Sequence, residues 1–181
     1  MRSEAPASPY IHRIGQLVRA RGLEGELQAR LFRARPDQAF NKAYRSSDPH
    51  PIELEWKDGH RREAGLHAVR FVDPTRALLR LDGIRDRGAA EALEGAFVDV
   101  DPSDPPETLC DELDRLFDAE LVDAHTGDSL GRVDDLRDTG AHPLLVAGEL
   151  MVPFVEAFIE VIEPGRVRVR LPDGLKEIYQ S

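Results

Sequence analysis

The sequence predicts a mainly β protein made of two small barrels in series. Three observations predict it. Short apolar runs with a two-residue period recur along the whole chain, as they do in strands with one face in a core. Glycine, proline and aspartate punctuate those runs at short intervals. Between them lies Asp101 to Glu107, DPSDPPE, where three prolines in seven residues block helix and ladder alike and the composition turns acidic. The expected organisation is a barrel over residues 1–101, a linker over 102–107 and a second barrel over 108–181.

Taken in order, residues 1–9 read as a tail, because Pro6 and Pro9 discourage regular structure. Ile14 to Phe32 reads as strand, tight loop, strand. Ile14, Gln16 and Val18 alternate, as do Leu27, Ala29 and Leu31, with Glu26, Gln28 and Arg30 on the opposite face. The loop runs from Arg19 through Arg21 and Gly22 to Gly25, and its glycines can take positive φ. Two readings fit it: a hairpin that happens to be basic, or a loop whose backbone lies close to a partner such as RNA. Arg33 to Pro51 is polar, with a helical turn at most over Asp37 to Tyr44. Its Arg33, Arg35, Lys42 and Arg45 are candidate contacts, against the simpler reading of a solvated loop.

Ile52, Leu54 and Trp56 alternate with charged residues and run into Asp58-Gly59, a two-residue hairpin signal. The return strand lies within His60 to Val72, Asp73-Pro74-Thr75 turns the chain, and Ala77 to Leu81 is the next strand. Gly83 to Gly95 reads as a short helix capped by Asp86 and closed by Gly95. Phe97 to Val100 closes a six-stranded set, and a closed barrel removes its sheet edges.

Beyond the prolines, Leu109, Leu113 and Leu116 stand at helical spacing and predict a short amphipathic helix over Thr108 to Phe117. Ala119 to Ala124 and Leu130 to Leu136 read as strands, followed by short strands at Leu144 to Val146 and Leu150 to Val152. Phe154, Phe158, Ile159 and Ile162 follow a helical period. Val167, Val169 and Leu171 alternate in a last strand that Pro172-Asp173-Gly174 ends.

Charge divides the chain. The whole is −10; residues 1–101 hold 17 Lys/Arg against 16 Asp/Glu, and residues 102–181 hold 7 against 18. RNA binding is driven by neutralising phosphates, so the front half suits RNA and the acidic back suits a basic protein. No run of eighteen apolar residues predicts a membrane span. The N-terminus lacks the apolar centre of a signal peptide, and a single cysteine fits a reducing compartment. A cytoplasmic monomer is expected.

Catalytic signatures are absent. Six histidines and Cys110 show no metal-ligand spacing, and there is no GxSxG, P-loop or GxGxxG after a strand. Neither metal nor cofactor is expected.

Four stretches, in order, resemble one family. IGQLVRARGLEGELQARLF, LRLDGIRDRGAAEALEGAFVDV, SLGRVDDLRDTGAHPLLV, and the pair ELMVPFVEAFIEVI and RVRVRLPDGL are similar to the motifs of the ribosome maturation factor RimM family. The resemblance spans Ile11 to Leu175. It implies a six-stranded barrel of the translation-factor type followed by a PRC-barrel, and a non-enzymatic factor. Such a factor binds the immature small ribosomal subunit through a basic head protein, small-subunit protein nineteen, and aids folding and processing of its rRNA.

One departure stands out. The family has an aromatic pair and then Asp-Leu-hydrophobic-Gly after the linker, whereas this chain has Glu112-Leu113-Asp114-Arg115-Leu116-Phe117-Asp118, with Asp118 where glycine is expected.

The expected protein-binding residues are therefore Asp111, Glu112, Asp114, Phe117 and Phe154. The expected rRNA or subunit contacts are Arg19, Arg21, Gly22, Gly25, Arg33 and Arg35. The alternative function is a metal-dependent RNA-processing nuclease using the abundant carboxylates.

Overall fold

The computed structural model describes residues 8–35 and 44–172, with backbone alone at 44 and 45. The helical turn expected over Asp37 to Tyr44, Lys42, the side chain of Arg45, most of the N-terminal tail and the closing Asp173-Gly174 lie outside the described residues. The chain divides into two compact units, residues 1–111 and 112–181.

The first unit is a closed, wholly antiparallel barrel. Its strands are β1 (His12–Arg21), β2 (Glu26–Leu31), β3 (Tyr44–Glu55), β4 (Arg61–Asp73), β5 (Arg76–Leu81) and β6 (Phe97–Val100), joined around the barrel in the order β1-β2-β5-β4-β3-β6. Helix α1 (Arg87–Glu91) sits between β5 and β6. β6 pairs with both β1 and β3, which leaves no open edge.

The alternation in β2 and β5 is as the sequence predicts. Leu27, Ala29, Leu31, Ala77, Leu79 and Leu81 all point into the core. In β1 the expected phase fails. Its pairing with β6 shifts between Arg13 and Gly15, and its pairing with β2 shifts between Leu17 and Arg19. Each irregularity rotates the following residues, so Leu17 becomes fully buried while Val18 faces out. The first of the two basic residues, Arg19, and also Arg21 lie in the extended strand, not in the loop.

The Asp58-Gly59 turn is one residue longer than expected. Gly59 N–H donates to the Trp56 carbonyl and Trp56 N–H to the His60 carbonyl, with Gly59 at φ +84. That is a three-residue loop in which the glycine takes the left-handed place. The N-terminal helix signal holds: the Asp86 side chain accepts from Ala89 N–H at 2.9 Å, and Ala90 and Leu93 are buried, but the helix ends at Glu91 with Ala92 as its cap, short of the expected Gly95. Gly95 N–H then donates to the Leu17 carbonyl, tying the end of this segment to the irregular stretch of β1.

The proline-rich stretch behaves differently from a linker. Pro102, Pro105 and Pro106 are buried, His50 bonds the Asp104 carbonyl at 2.8 Å, and Leu109 and Cys110 join the core of the first barrel. Proline blocks ladder bonding but buries well, so the segment packs while staying irregular. The expected helix over Thr108 to Phe117 is absent; only Asp114–Leu116 forms a 3₁₀ turn. Its three leucines are shared between two cores, Leu109 with the first and Leu113 and Leu116 with the second.

The second unit contains a four-stranded and a three-stranded sheet. β7 (Glu120–Asp123), β8 (Ser129–Arg132), β12 (Ile159–Glu163) and β13 (Arg166–Val169) form the order β12-β13-β7-β8, with β13 and β7 parallel. β9 (Asp135–Asp138), β10 (Pro143–Ala147) and β11 (Leu150–Pro153) form the other sheet, in the order β11-β10-β9.

Two expectations are corrected here. Leu130 to Leu136 is not one strand: the chain leaves the first sheet after Arg132 and enters the second at Asp135, with Val133 buried at the crossing. Nor is Pro153 to Ile162 helical. One turn closes on the Val155 carbonyl, which accepts from Phe158 and Ile159 N–H, and β12 then begins. The β-branched Ile159, Val161 and Ile162 favour the extended form, and a run this short gives helix little nucleus.

Asp118 is the one described non-glycine residue with positive φ, at +63. It occupies the position where the resemblance puts glycine. Its N–H donates to the Val133 carbonyl at 2.7 Å, and Arg132 Nη1 donates to its carbonyl and to its Oδ2. A left-handed backbone costs an L-residue about 1–2 kcal/mol, less for aspartate, while an exposed ion pair returns only about 0.2–1 kcal/mol. Asp118→Gly is thus expected to leave stability level or raise it by up to roughly 1 kcal/mol, and Asp118→Ala to lower it by about 1 kcal/mol, in urea melts.

Candidate functional site

The expected contact residues separate into exposed and withdrawn. Arg19 and Arg21 are exposed on the outer side of β1 and are held by one partner: Gln28 Oε1 accepts from Arg21 Nε at 3.0 Å and from Arg19 Nε at 3.4 Å. Gly22 and Gly25 both have positive φ, +65 and +80. A Cβ at Gly22 would meet open space, but one at Gly25 would lie 2.7 Å from the Ile84 carbonyl oxygen. The close approach that Gly25 permits is therefore to the barrel's own backbone.

Arg33 and Arg35 are not solvent-facing. Arg33 pairs with Asp111 and its side chain is only 10% exposed; that of Arg35 is 2% exposed, 3.7 Å from the same carboxylate. Ion pairing inside the first unit withdraws both guanidiniums from any direct phosphate contact, and it occupies Asp111 as well. Of the remaining acids, Glu112 is exposed and Asp114 is buried. Phe117 and Phe154 are half-buried, and Phe154 packs on the second core. Asp111 falls in the first unit and the other four in the second, where Asp114 is withdrawn from solvent.

What the sequence reading missed is a division of exposed charge. In the second unit Arg132, Arg137, Arg166, Arg168 and Arg170 each reach a carboxylate, respectively Asp118, Asp135, Glu120, Glu163 and Glu160. Glu120 also accepts from Ser129, and these bonds hold its carboxyl below the usual range. Asp134, Asp138, Glu149 and Glu156 are exposed and form no ion pair with a described residue. They border the three-stranded sheet: Asp134 accepts from Gly148 N–H in the β10–β11 turn, and Asp138 stands opposite Pro143.

In the first unit, Glu53, Glu55 and Asp99 share two arginines. Arg13 donates to Asp99 and Glu55, and Arg61 to Glu53 and Glu55. The bond to Asp99, ahead of any other influence, raises the Arg13 pKa further. Among the described residues no group of three or more His, Cys, Asp or Glu is placed to hold a metal ion, and no helix is long and apolar enough to cross a membrane.

Comparison with known proteins fits both units. Residues 12–105 match the family model of the RimM N-terminal domain, and residues 116–175 that of the RimM PRC barrel domain. The chain belongs to the RimM family. A ribosome maturation factor RimM from Sorangium cellulosum (strain So ce56) is 34% identical over 165 residues, 87% of this chain and 92% of that protein. Another from Parafrankia sp. (strain EAN1pec) is 35% identical over 119 residues, 57% of this chain and 55% of that one. A Pseudomonas aeruginosa crystal structure described as a 16S ribosomal RNA processing protein RimM aligns with 89% of this chain and 97% of its own, at 23% identity and a TM-score of 0.41. The fold is accordingly a RimM N-terminal barrel followed by a PRC barrel.

Proposed function

We propose that this RimM-family protein acts by binding, not catalysis, and docks its PRC barrel on a basic protein of the small-subunit head, protein nineteen, during maturation of the immature particle. The supporting observation is the exposed carboxylates that the PRC barrel leaves over once its strand arginines are paired. Unmatched negative charge around a rigid sheet steers and orients a basic partner, mostly through the association rate. The protein acts as a monomer in the cytoplasm, and its interaction with rRNA is secondary to protein contact.

The test is co-sedimentation with immature small subunits. Neutralising Asp134, Asp138, Glu149 and Glu156 together, to asparagine or glutamine, is expected to weaken binding about tenfold or more at low salt, and the difference is expected to shrink as salt rises. Unchanged binding of that variant would remove the acidic surface from the function. Precursor rRNA incubated with the pure protein and magnesium is expected to stay uncut; cleavage would favour the nuclease alternative.

A further inference from the structure

Where β1, β2, β5 and β4 lie side by side, away from the Arg13 and Arg61 ion pairs, six arginines stand on the outer face: Arg19, Arg21, Arg30, Arg70, Arg76 and Arg80. In a chain of net charge −10 this is a local reversal. Three carboxylates accompany them. Glu24 pairs with Arg80, Asp73 pairs with Arg76, and Glu26 stands opposite Arg21. Arg19, Arg30 and Arg70 form no ion pair with a described residue, and Arg30 and Arg70 form no side-chain hydrogen bond with one either.

The register argues against accident. Arg30 stands directly opposite Arg76 in the β2–β5 pair, an arrangement of like charges that destabilises a sheet. The next row crosses four strands as Arg19, Gln28, Leu78, Arg70. Gln28 is buried, and its one carbonyl oxygen holds Arg19 and Arg21 by their Nε atoms alone. The outer Nη edges of both guanidiniums are thus positioned yet uncommitted among the described residues. That is the edge that grips a phosphate with two parallel bonds.

We infer that this face binds the phosphodiester backbone of RNA, independently of sequence. The inference rests on the ribosome-directed reading above and names the surface by which the N-terminal barrel would meet rRNA. A phosphate backbone fits better than an acidic protein because the charges sit on rigid strands. Neighbouring strands are about 4.8 Å apart and same-face residues roughly 6.7 Å apart along each, so they form a regular grid across a span of about 14 Å. Arg33 and Arg35, predicted from sequence, do not belong to it; Arg30 and Arg70 do.

The experiment is fluorescence anisotropy of the full chain with a labelled short RNA duplex, repeated with a single strand, across a salt series. Wild type is expected to show a log–log salt slope of about −3, the signature of roughly three to four neutralised phosphates. Arg30→Gln/Arg70→Gln is expected to bind about tenfold more weakly, with a slope shallower by about 2. Trp56 emission checks the barrel, and the same variant is expected to keep its hold on the basic ribosomal protein. That second readout separates failure here from failure of the proposed docking.

Equal affinity and slope for wild type and variant would overturn the inference. So would an equal loss from Arg168→Gln/Arg170→Gln on the PRC barrel. An oligoglutamate peptide bound as tightly as the duplex, and weakened equally by the variant, would reassign the face to an acidic protein.

Discussion

Gly25→Ala is expected to destabilise the N-terminal barrel far more than Gly22→Ala, although both glycines lie in the same short loop with nearly the same positive φ. At Gly22 an added methyl group meets nothing within 4 Å, so only the left-handed backbone is penalised, by about 1–2 kcal/mol. At Gly25 the methyl carbon would stand 2.7 Å from Ile84 O, 2.9 Å from Ile84 C and 3.1 Å from Arg85 N. Backbone cannot swing aside as a side chain can, so overpacking adds roughly 1–3 kcal/mol and brings the total to about 2–5 kcal/mol.

Trp56 is the only tryptophan in the chain and packs against the first core, so its emission during urea unfolding reports on this unit. Equal midpoints for the two variants would show that the contact between the β1–β2 turn and the Ile84–Arg85 segment is not what fixes the loop. The result bears on function because Arg21 immediately precedes this loop. A turn braced against the barrel keeps the arginine-bearing end of β1 in one place.

Leu109→Ala is expected to be the second large effect, and its location is the informative part. The leucine is 1% exposed and belongs to the core of the first barrel, although it follows the proline-rich segment. Truncating a fully buried leucine costs about 2–5 kcal/mol, through lost transfer free energy and the cavity left behind. The Trp56 transition should therefore move to clearly lower urea in Leu109→Ala. In Leu116→Ala, whose side chain lies in the second core, it should hold its midpoint while the remaining far-ultraviolet transition moves. If Leu109→Ala leaves the Trp56 midpoint alone, the first unit ends before Thr108 and the assignment of 102–111 to it is wrong.

The pattern of success along the chain follows the range of the forces involved. The strands β2, β5 and β13 are legible in the sequence because a two-residue period is a property of neighbouring residues. The Asp86 cap is legible for the same reason: donor and acceptor lie three residues apart. The surroundings of the candidate contact residues were only partly legible. Arg19 and Arg21 could be named from sequence as basic residues beside a tight turn, and the structure keeps them exposed. Arg33 and Arg35 look alike in sequence, yet Asp111, more than seventy residues away, draws the first into an ion pair and lies beside the second. The leucines at helical spacing misled because spacing alone cannot say that two different cores will claim them.

By itself, then, the sequence determined the strand-rich character of this protein, its two-part charge, its family motifs and the local caps and turns. Each of these is written in residues close together along the chain. Only the tertiary structure decided the phase of β1, the end of the first unit, the burial of Arg33 and Arg35, and the alignment of Arg19, Arg30 and Arg70 on one face. Those depend on which distant strands pair and in which register. A shift of one residue there turns a side chain from core to solvent without changing a single letter.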